Sequence, residues 1–234
     1  MKTLLIVLGT LLTATAGFAE SVSKEVNQPS EAAQEVVGTY VGMFALNKIT
    51  ICLKQVVGKT LLGYSVVAGN ERAFSGPFDW KDGVLVATAK EPGDHPEDGV
   101  FTFRYTPGSK HLLGSWTPNK KKNLEPKTFD LPRREFRYDP KLGEYPQSSQ
   151  RVLKSKDVEN TGQEELRIMR NEIYARHGYS FRVRDMRRYF DNQDWYMPIA
   201  VDVTAKLSET EKKNEALIKR YEKYAAEYYD EFGR

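Results

Sequence analysis

The chain has 234 residues, of which 40% are hydrophobic and 29% are charged, and this composition excludes disordered and collagen-like proteins. The 35 Lys and Arg residues nearly balance the 32 Asp and Glu residues, and a net charge of +3 is too small to indicate a nucleic-acid-binding protein. The single cysteine excludes an intrachain disulfide framework and any metal site built from several cysteines.

The first 19 residues have the pattern of a secretory signal peptide. Lys2 supplies a positive start, residues 4–12 are apolar, and small residues up to Ala19 suit cleavage there, with cleavage after Ala16 as the alternative. The apolar run is shorter than the ~20 residues that span a membrane. Glu20, or Gly17 in the alternative, stands immediately after the cleavage point, where a lipoprotein would have a cysteine. We therefore expect a periplasmic or secreted protein without a lipid anchor or a transmembrane segment in its mature form.

Residues 36–145 have the pattern of a β-rich domain, which follows a polar linker at 20–35. Short apolar runs with a period of two are separated by turn residues such as Gly58 and Gly69. About seven or eight antiparallel strands are predicted, in a meander that forms a barrel or a sandwich. The predicted strands are 38–45, 48–55, 61–68, 71–80, 84–90, 99–105, 111–117 and 127–138.

The period becomes helical after a second predicted linker at 146–160, so the fold class is α+β. In the predicted helical domain, residues 161–234, Thr161 with Glu164 and Ser208 with Glu211 have the spacing of capping boxes. A short helix is predicted at 184–190. The last helix is predicted to bury one stripe of residues, Leu217, Ile218, Tyr221, Tyr224, Ala225 and Tyr228.

His177 is the residue in the helical part that could do chemistry. It could act as a general base if Asp185 or Asp191 oriented its ring. No nucleophile or zinc-protease motif accompanies it, so no catalytic residue, metal site or cofactor is predicted and the protein is not expected to be an enzyme. In the structural alternative His177 caps a helix, above a core of Tyr174, Phe181 and Trp195.

Residues 174–178 read YARHG, residues 190–196 read FDNQDWY, and residues 207–224 read LSETEKKNEALIKRYEKY. In these segments the chain resembles the YARHG domain family over residues 164–224. That resemblance implies an exported bacterial protein and supplies no catalytic residues. The β-rich part is loosely similar to lipocalin- and avidin-type barrels at residues 37–40 and 114–116, although Tyr40 stands where lipocalins have Trp.

Three hypotheses of function follow. The first is an exported, non-enzymatic cell-envelope protein whose β-domain binds an envelope protein, polymer or other ligand, with a helical interaction module. Its predicted interaction surface comprises Arg176, His177, Trp195 and Tyr196. A small carrier of apolar ligands is the second hypothesis, with a barrel cavity lined by Phe44, Ile51, Tyr64, Phe74, Phe101 and Phe103. The third is a cell-wall hydrolase that uses His177 and an acid.

Overall fold

The computed structural model describes residues 31–95, 98–119 and 126–228, so the predicted signal peptide and most of the first predicted linker lie outside the described residues. A helical turn, α1 (Glu31–Gln34), precedes eight strands. The strands are β1 (Gly38–Phe44), β2 (Asn47–Val57), β3 (Thr60–Val67), β4 (Asn70–Lys81), β5 (Val84–Lys90), β6 (Gly99–Tyr105), β7 (His111–Pro118) and β8 (Lys127–Pro132).

The eight strands form an antiparallel meander that nearly closes into a barrel. Each strand pairs with the next in the order β1 to β8. The first and last strands then approach each other, since Tyr40 and Arg133 form a β-bridge and the backbone amide of Arg134 donates to the carbonyl of Thr39 over 2.8 Å. The α+β fold class and the antiparallel barrel-like meander are therefore confirmed.

Aromatic rings fill the interior of the near-barrel. Neighbouring ring centroids within one phenylalanine cluster lie between 5.3 and 6.3 Å apart. Glycines opposite the rings leave the space that these rings occupy, because a Cβ atom at Gly63 would stand 2.7 Å from the ring of Phe74. The cluster comprises Phe44, Phe74, Phe101, Phe103 and Phe129.

Five of the six residues predicted to line a cavity, namely Phe44, Ile51, Phe74, Phe101 and Phe103, are buried in this core. The prediction for Tyr64 is wrong. The alternation of β3 turns Gly63 inward, so Tyr64 lies on the outer face, where the ammonium of Lys54 stands 4.8 Å from its ring centroid.

The helical part begins earlier than predicted. It contains α2 (Gln147–Gln150), α3 (Gln163–Arg176), α4 (Arg184–Asp191) and α5 (Glu209–Tyr228), with 3₁₀ turns at Ser155–Asp157 and Thr204–Lys206. Residues 146–160 are part of the packed helical unit instead of a free linker, because Leu153 and Val158 are buried in its core. The cap of α3 also differs from the prediction: Gly162 is the N-cap, and its amide donates to Glu165.

The last helix, α5, packs on the helical unit through both polar and apolar side chains. Ser208 and Glu211 form the predicted capping box, each accepting from the backbone amide of the other. Ile218 and Ala225 are buried as predicted, whereas Tyr224 and Tyr228 are 59% and 65% exposed and contact each other at the surface. The helix instead buries two polar side chains in its first turns, Glu211 and Asn214.

The helical unit docks on the turns at one end of the near-barrel. The backbone amide of Lys48 donates to Asp191 over 3.0 Å, and its ammonium donates to the carbonyls of Gln193 and Tyr196 over 2.6 and 3.2 Å. At the β3–β4 turn the amide of Gly69 donates to the hydroxyl of Ser180. Within the described residues no helix is long and apolar enough to cross a membrane.

Candidate functional site

The end of α3 carries the sequence Tyr174 to Gly178. Gly178 adopts a φ of +79° and so terminates the helix in the left-handed conformation that favours glycine. A Cβ atom at this position would collide with Ile199. Ala175 packs in a buried cluster with Phe181, and the half-buried ring of Tyr174 contacts that of Tyr179. Two residues of the motif, Arg176 and His177, supply charged or titratable groups.

Arg176 is 1% exposed, and every nitrogen of its guanidinium donates a hydrogen bond. Nε donates to the carbonyl of Leu142 over 2.7 Å, and Nη1 donates to the hydroxyls of Ser148 and Ser149, each over 2.9 Å. Nη2 pairs with Glu172, one turn earlier on α3, over 2.5 Å. Arg176 therefore joins α3 to residues 133–150, which lead from the near-barrel into the helical unit and are called the entry segment below.

Glu172 is buried beside Arg176 and also accepts the backbone amides of Glu144 and Tyr145 over 2.7 and 2.9 Å. Burial raises the pKa of the Glu172 carboxyl, and the two amides and the guanidinium act in the opposite direction. Burial also lowers the pKa of Arg176. A buried pair with this many hydrogen bonds keeps both charges compensated.

His177 is the C-cap residue of α3 and is 6% exposed. Its Nε2 stands 2.8 Å from a carboxylate oxygen of Glu211, the capping residue of α5. The ring of Tyr138 stacks on the imidazole with a centroid distance of 4.4 Å. Glu211 also accepts the hydroxyls of Tyr138 and Ser149 over 3.0 and 2.8 Å, so a single carboxylate connects α3, α5 and the entry segment.

The electrostatics of this network favour an ionised Glu211. Burial raises the pKa of its carboxyl, but the hydrogen bonds from His177, the amide of Ser208 and the hydroxyl of Ser149 outweigh burial and lower the pKa to about 2. For Tyr138, burial and the neighbouring carboxylate raise the pKa of the phenol to about 12. At neutral pH the phenol therefore stays a donor and the carboxylate stays an acceptor.

The partners that the sequence suggested for His177 are elsewhere. Asp191 accepts the amide of Lys48 at the junction with the near-barrel, and Asp185 faces Arg167 over 3.8 Å. The partner of His177 is Glu211, which was not predicted from the sequence. The available signal was its position in the capping box of α5, which places its carboxylate at the start of that helix.

Trp195 and Tyr196 belong to the junction with the near-barrel. Tyr196 is 1% exposed, and its hydroxyl donates to the carbonyl of Tyr179 over 2.6 Å. Trp195 is half-buried, and its carbonyl accepts from Arg134. Of the four residues predicted to form an interaction surface, Arg176, His177 and Tyr196 are therefore interior residues, because their polar groups are used inside the protein.

A cleft of about 970 Å³ lies on the outer face of strands β2 to β5. Its floor includes Leu62 and Tyr64, and Val201 of the helical unit forms part of its wall. Charged side chains stand around it, and residues 91–93, directly after β5, form one side. The lining residues with charges are Lys54, Glu71, Lys90 and Glu91.

A smaller cavity of about 280 Å³ lies where the entry segment crosses the helical unit. Arg134 and Trp195 line it together with Arg176, so two of the residues predicted as a surface meet there. In the parts of the chain that the structure describes, no three His, Cys, Asp or Glu side chains are grouped so that they could hold a metal ion.

Comparison with known proteins identifies the helical unit. A family model described as the YARHG domain matches residues 143–223, which includes residues that the sequence pattern had assigned to a linker. No curated protein and no solved structure matches the chain. The C-terminal part of the chain, from residue 143 to residue 223, is a YARHG domain, and its Arg and His are bonded inside it.

Proposed function

We propose that the protein is an exported, non-enzymatic binding protein of the bacterial cell envelope. Its β-domain binds a ligand in the outer cleft, and the YARHG domain docks beside that cleft and supports it. The observation that carries this proposal is the composition of the cleft, which combines an apolar floor at Leu62 and Tyr64 with charged side chains and includes Val201 of the YARHG domain.

The filled interior favours the outer cleft over a central cavity as the binding site. An apolar ligand on the barrel axis would have to displace rings that already contact one another, such as Phe101 and Phe103 at 5.4 Å. Displacing packed core side chains costs several kcal/mol, roughly what truncating a buried phenylalanine costs. The carrier hypothesis is therefore the less favoured one.

The engagement of His177 supports a non-enzymatic role. Its Nε2 is bonded to Glu211, and the Oε2 of that carboxylate is also held by the amide of Ser208. A general base needs its nitrogen directed at a substrate proton. Here Nε2 is directed at a partner inside the protein, and the imidazole is only 6% exposed beneath the stacked ring of Tyr138, which limits the access of a substrate.

Binding can be tested by NMR titration of the mature protein with the aqueous and lipid fractions of a bacterial envelope extract. We expect shifts at Leu62 and Tyr64, and we expect them to be lost in Tyr64→Ala. A matched control is Tyr224→Ala, which removes an exposed tyrosine far along the chain. Shifts at Phe101 and Phe103 instead would support the carrier, and no shifts with any fraction would refute ligand binding.

Export can be tested separately, by expressing the full chain in a bacterium and sequencing the N-terminus of the product. We expect the protein in the osmotic-shock fraction, with Glu20 as its first residue. Recovery from the cytoplasm with residues 1–19 retained, or partition of the product into the detergent phase, would contradict an exported protein without a lipid anchor.

A further inference from the structure

The outer cleft has a floor of small and apolar side chains that run across neighbouring strands. In the strand register Leu62 of β3 pairs with Ser75 of β4, and Ser75 pairs with Lys90 of β5. The next row on the same face places Tyr64 beside Ala73. Ser75 and Ala73 are small, so the floor is low between Leu62 and Tyr64 on one side and Lys90 on the other. A ligand could lie across the strands there.

Lys54 of β2 lies at a β-bulge and lines this cleft. The pairing of β2 with β3 shifts between Leu53 and Gln55, so Lys54 is the extra residue of the bulge. Leu53 before it is buried on the inner face, so the alternation of the strand turns Lys54 to the outer face. The Nζ of Lys54 stands 4.8 Å from the ring centroid of Tyr64, so its ammonium lies over the aromatic floor.

The exposed charged side chains of the lining are two lysines and one acid, and a second acid is buried. Neither Lys54 nor Lys90 forms an ion pair within the described part of the chain. Glu91 is buried, and its Oε2 accepts the amide of Gly99 and the indole of Trp116. Glu71 is then the exposed acid of the lining, against two ammonium groups.

From this arrangement we infer that the cleft binds a single-chain amphipathic anion, a molecule with an apolar body and one carboxylate or phosphate. The apolar body lies over Leu62 and Tyr64, and the anionic group pairs with a lysine at the edge of this floor, Lys54 on β2 or Lys90 on β5. This inference rests on the proposed ligand-binding function and specifies its ligand class. Carboxylate and phosphate share the chemistry that an ammonium recognises, namely charge-assisted hydrogen bonds.

The test is calorimetric titration of the mature protein with decanoate below its micelle concentration, with neutral octyl glucoside as the uncharged comparison. We expect decanoate to bind more tightly than octyl glucoside, and its affinity to fall at high salt because the lysines are exposed. The Lys54→Gln/Lys90→Gln variant should weaken decanoate binding about tenfold or more and leave octyl glucoside binding unchanged.

The matched control is Lys59→Gln/Lys81→Gln, which removes two exposed lysines outside the cleft lining and changes the net charge equally. This control should bind decanoate like the wild type. Equal loss in both double variants, or equal affinity for the two ligands, would overturn the anion specificity while leaving a ligand site in place. Decyl phosphate as a second ligand distinguishes phosphate from carboxylate preference.

A lipid surface is the competing source of the same chemistry. Binding to phosphatidylglycerol vesicles without binding of free decanoate or decyl phosphate would overturn the inference, since a membrane would then be the partner. If neither decanoate nor decyl phosphate binds but an envelope fraction still shifts the NMR signals of the cleft, the proposed ligand class is wrong and the ligand site remains. Absence of any shift in that extract experiment would refute the proposed function itself.

Discussion

Glu211→Gln tests whether the buried network of the YARHG domain holds the fold through the charge of this carboxylate. Glu211 accepts from His177, Tyr138, Ser149 and the amide of Ser208. The substitution keeps the volume and the first turn of α5 but removes the negative charge. It also places an NH₂ group where one oxygen now accepts two donors. The expected result is a loss of stability at neutral pH with little change in the folded structure.

The magnitude follows from the depressed pKa. A carboxyl whose pKa falls from its ordinary value of 4.5 to about 2 on folding stabilises the folded state by roughly 3 kcal/mol at neutral pH. Because the folded pKa lies below the unfolded value, this contribution is present above pH ~5 and decreases as the pH falls toward ~2.

The assay is urea unfolding of the wild type and Glu211→Gln at pH 7, 5 and 3. We expect the stability difference to be roughly 3 kcal/mol at pH 7 and less than half of that at pH 3. The matched control is Glu209→Gln on the same helix, whose exposed carboxylate pairs with Lys212 at the surface, and we expect no measurable change. A difference that is small at pH 7, or that does not change with pH, would refute the ionic role.

Three further predictions follow from other contacts. Gly178→Ala should destabilise the protein by ~2–4 kcal/mol in thermal unfolding, because strain at positive φ adds to a collision with Ile199; Gly58→Ala, with positive φ but open space around it, should cost only ~1 kcal/mol. Lys48→Met should remove the donor to two carbonyls at the junction of the two units, costing ~1.5–3 kcal/mol and increasing proteolysis there. Burial raises the pKa of Tyr40 to about 12, so its protonated phenol stabilises the fold below pH ~10. This contribution should be lost as the pH rises through ~12, and unfolding followed by circular dichroism would show it.

The strands were predictable because burial in a barrel has a period of two along each strand. Two of them, β5 and β6, have the bounds that the pattern predicts, and others differ by one or two residues. The prediction for β8 was wrong at its end: the strand stops at Pro132, and Arg133 instead supplies the bridge that brings the first and last strands together. Closure depends on a pairing across more than 90 residues of chain, which a local pattern does not contain.

The orientation of Tyr64 and the partners of His177 could not be predicted for a related reason. The face on which Tyr64 lies depends on which of its neighbours faces inward. Gly63 faces inward because only a glycine leaves room there for the ring of Phe74, so Tyr64 faces outward. The buried face of α5 was predicted as apolar, whereas it starts with Glu211 and Asn214. A polar residue can be recognised as buried only once its distant partners, such as Ser149 and Tyr138, are known.

The location of the motif residues has a consequence for where a ligand can bind. A ligand that contacted Arg176 would first have to replace the hydrogen bonds that compensate its buried charge, and breaking a buried pair such as Arg176 and Glu172 costs ~3–5 kcal/mol. His177 is also buried, and its Nε2 is already bonded to Glu211. Lys54 and Lys90 carry no ion pair in the described part of the chain, so a ligand can reach them without that penalty. A ligand at the outer cleft would therefore gain new polar contacts, whereas the polar groups of the motif residues inside the YARHG domain are already hydrogen-bonded. The residues that name the domain hold its elements together, and for this reason we propose the outer face of the near-barrel as the ligand site.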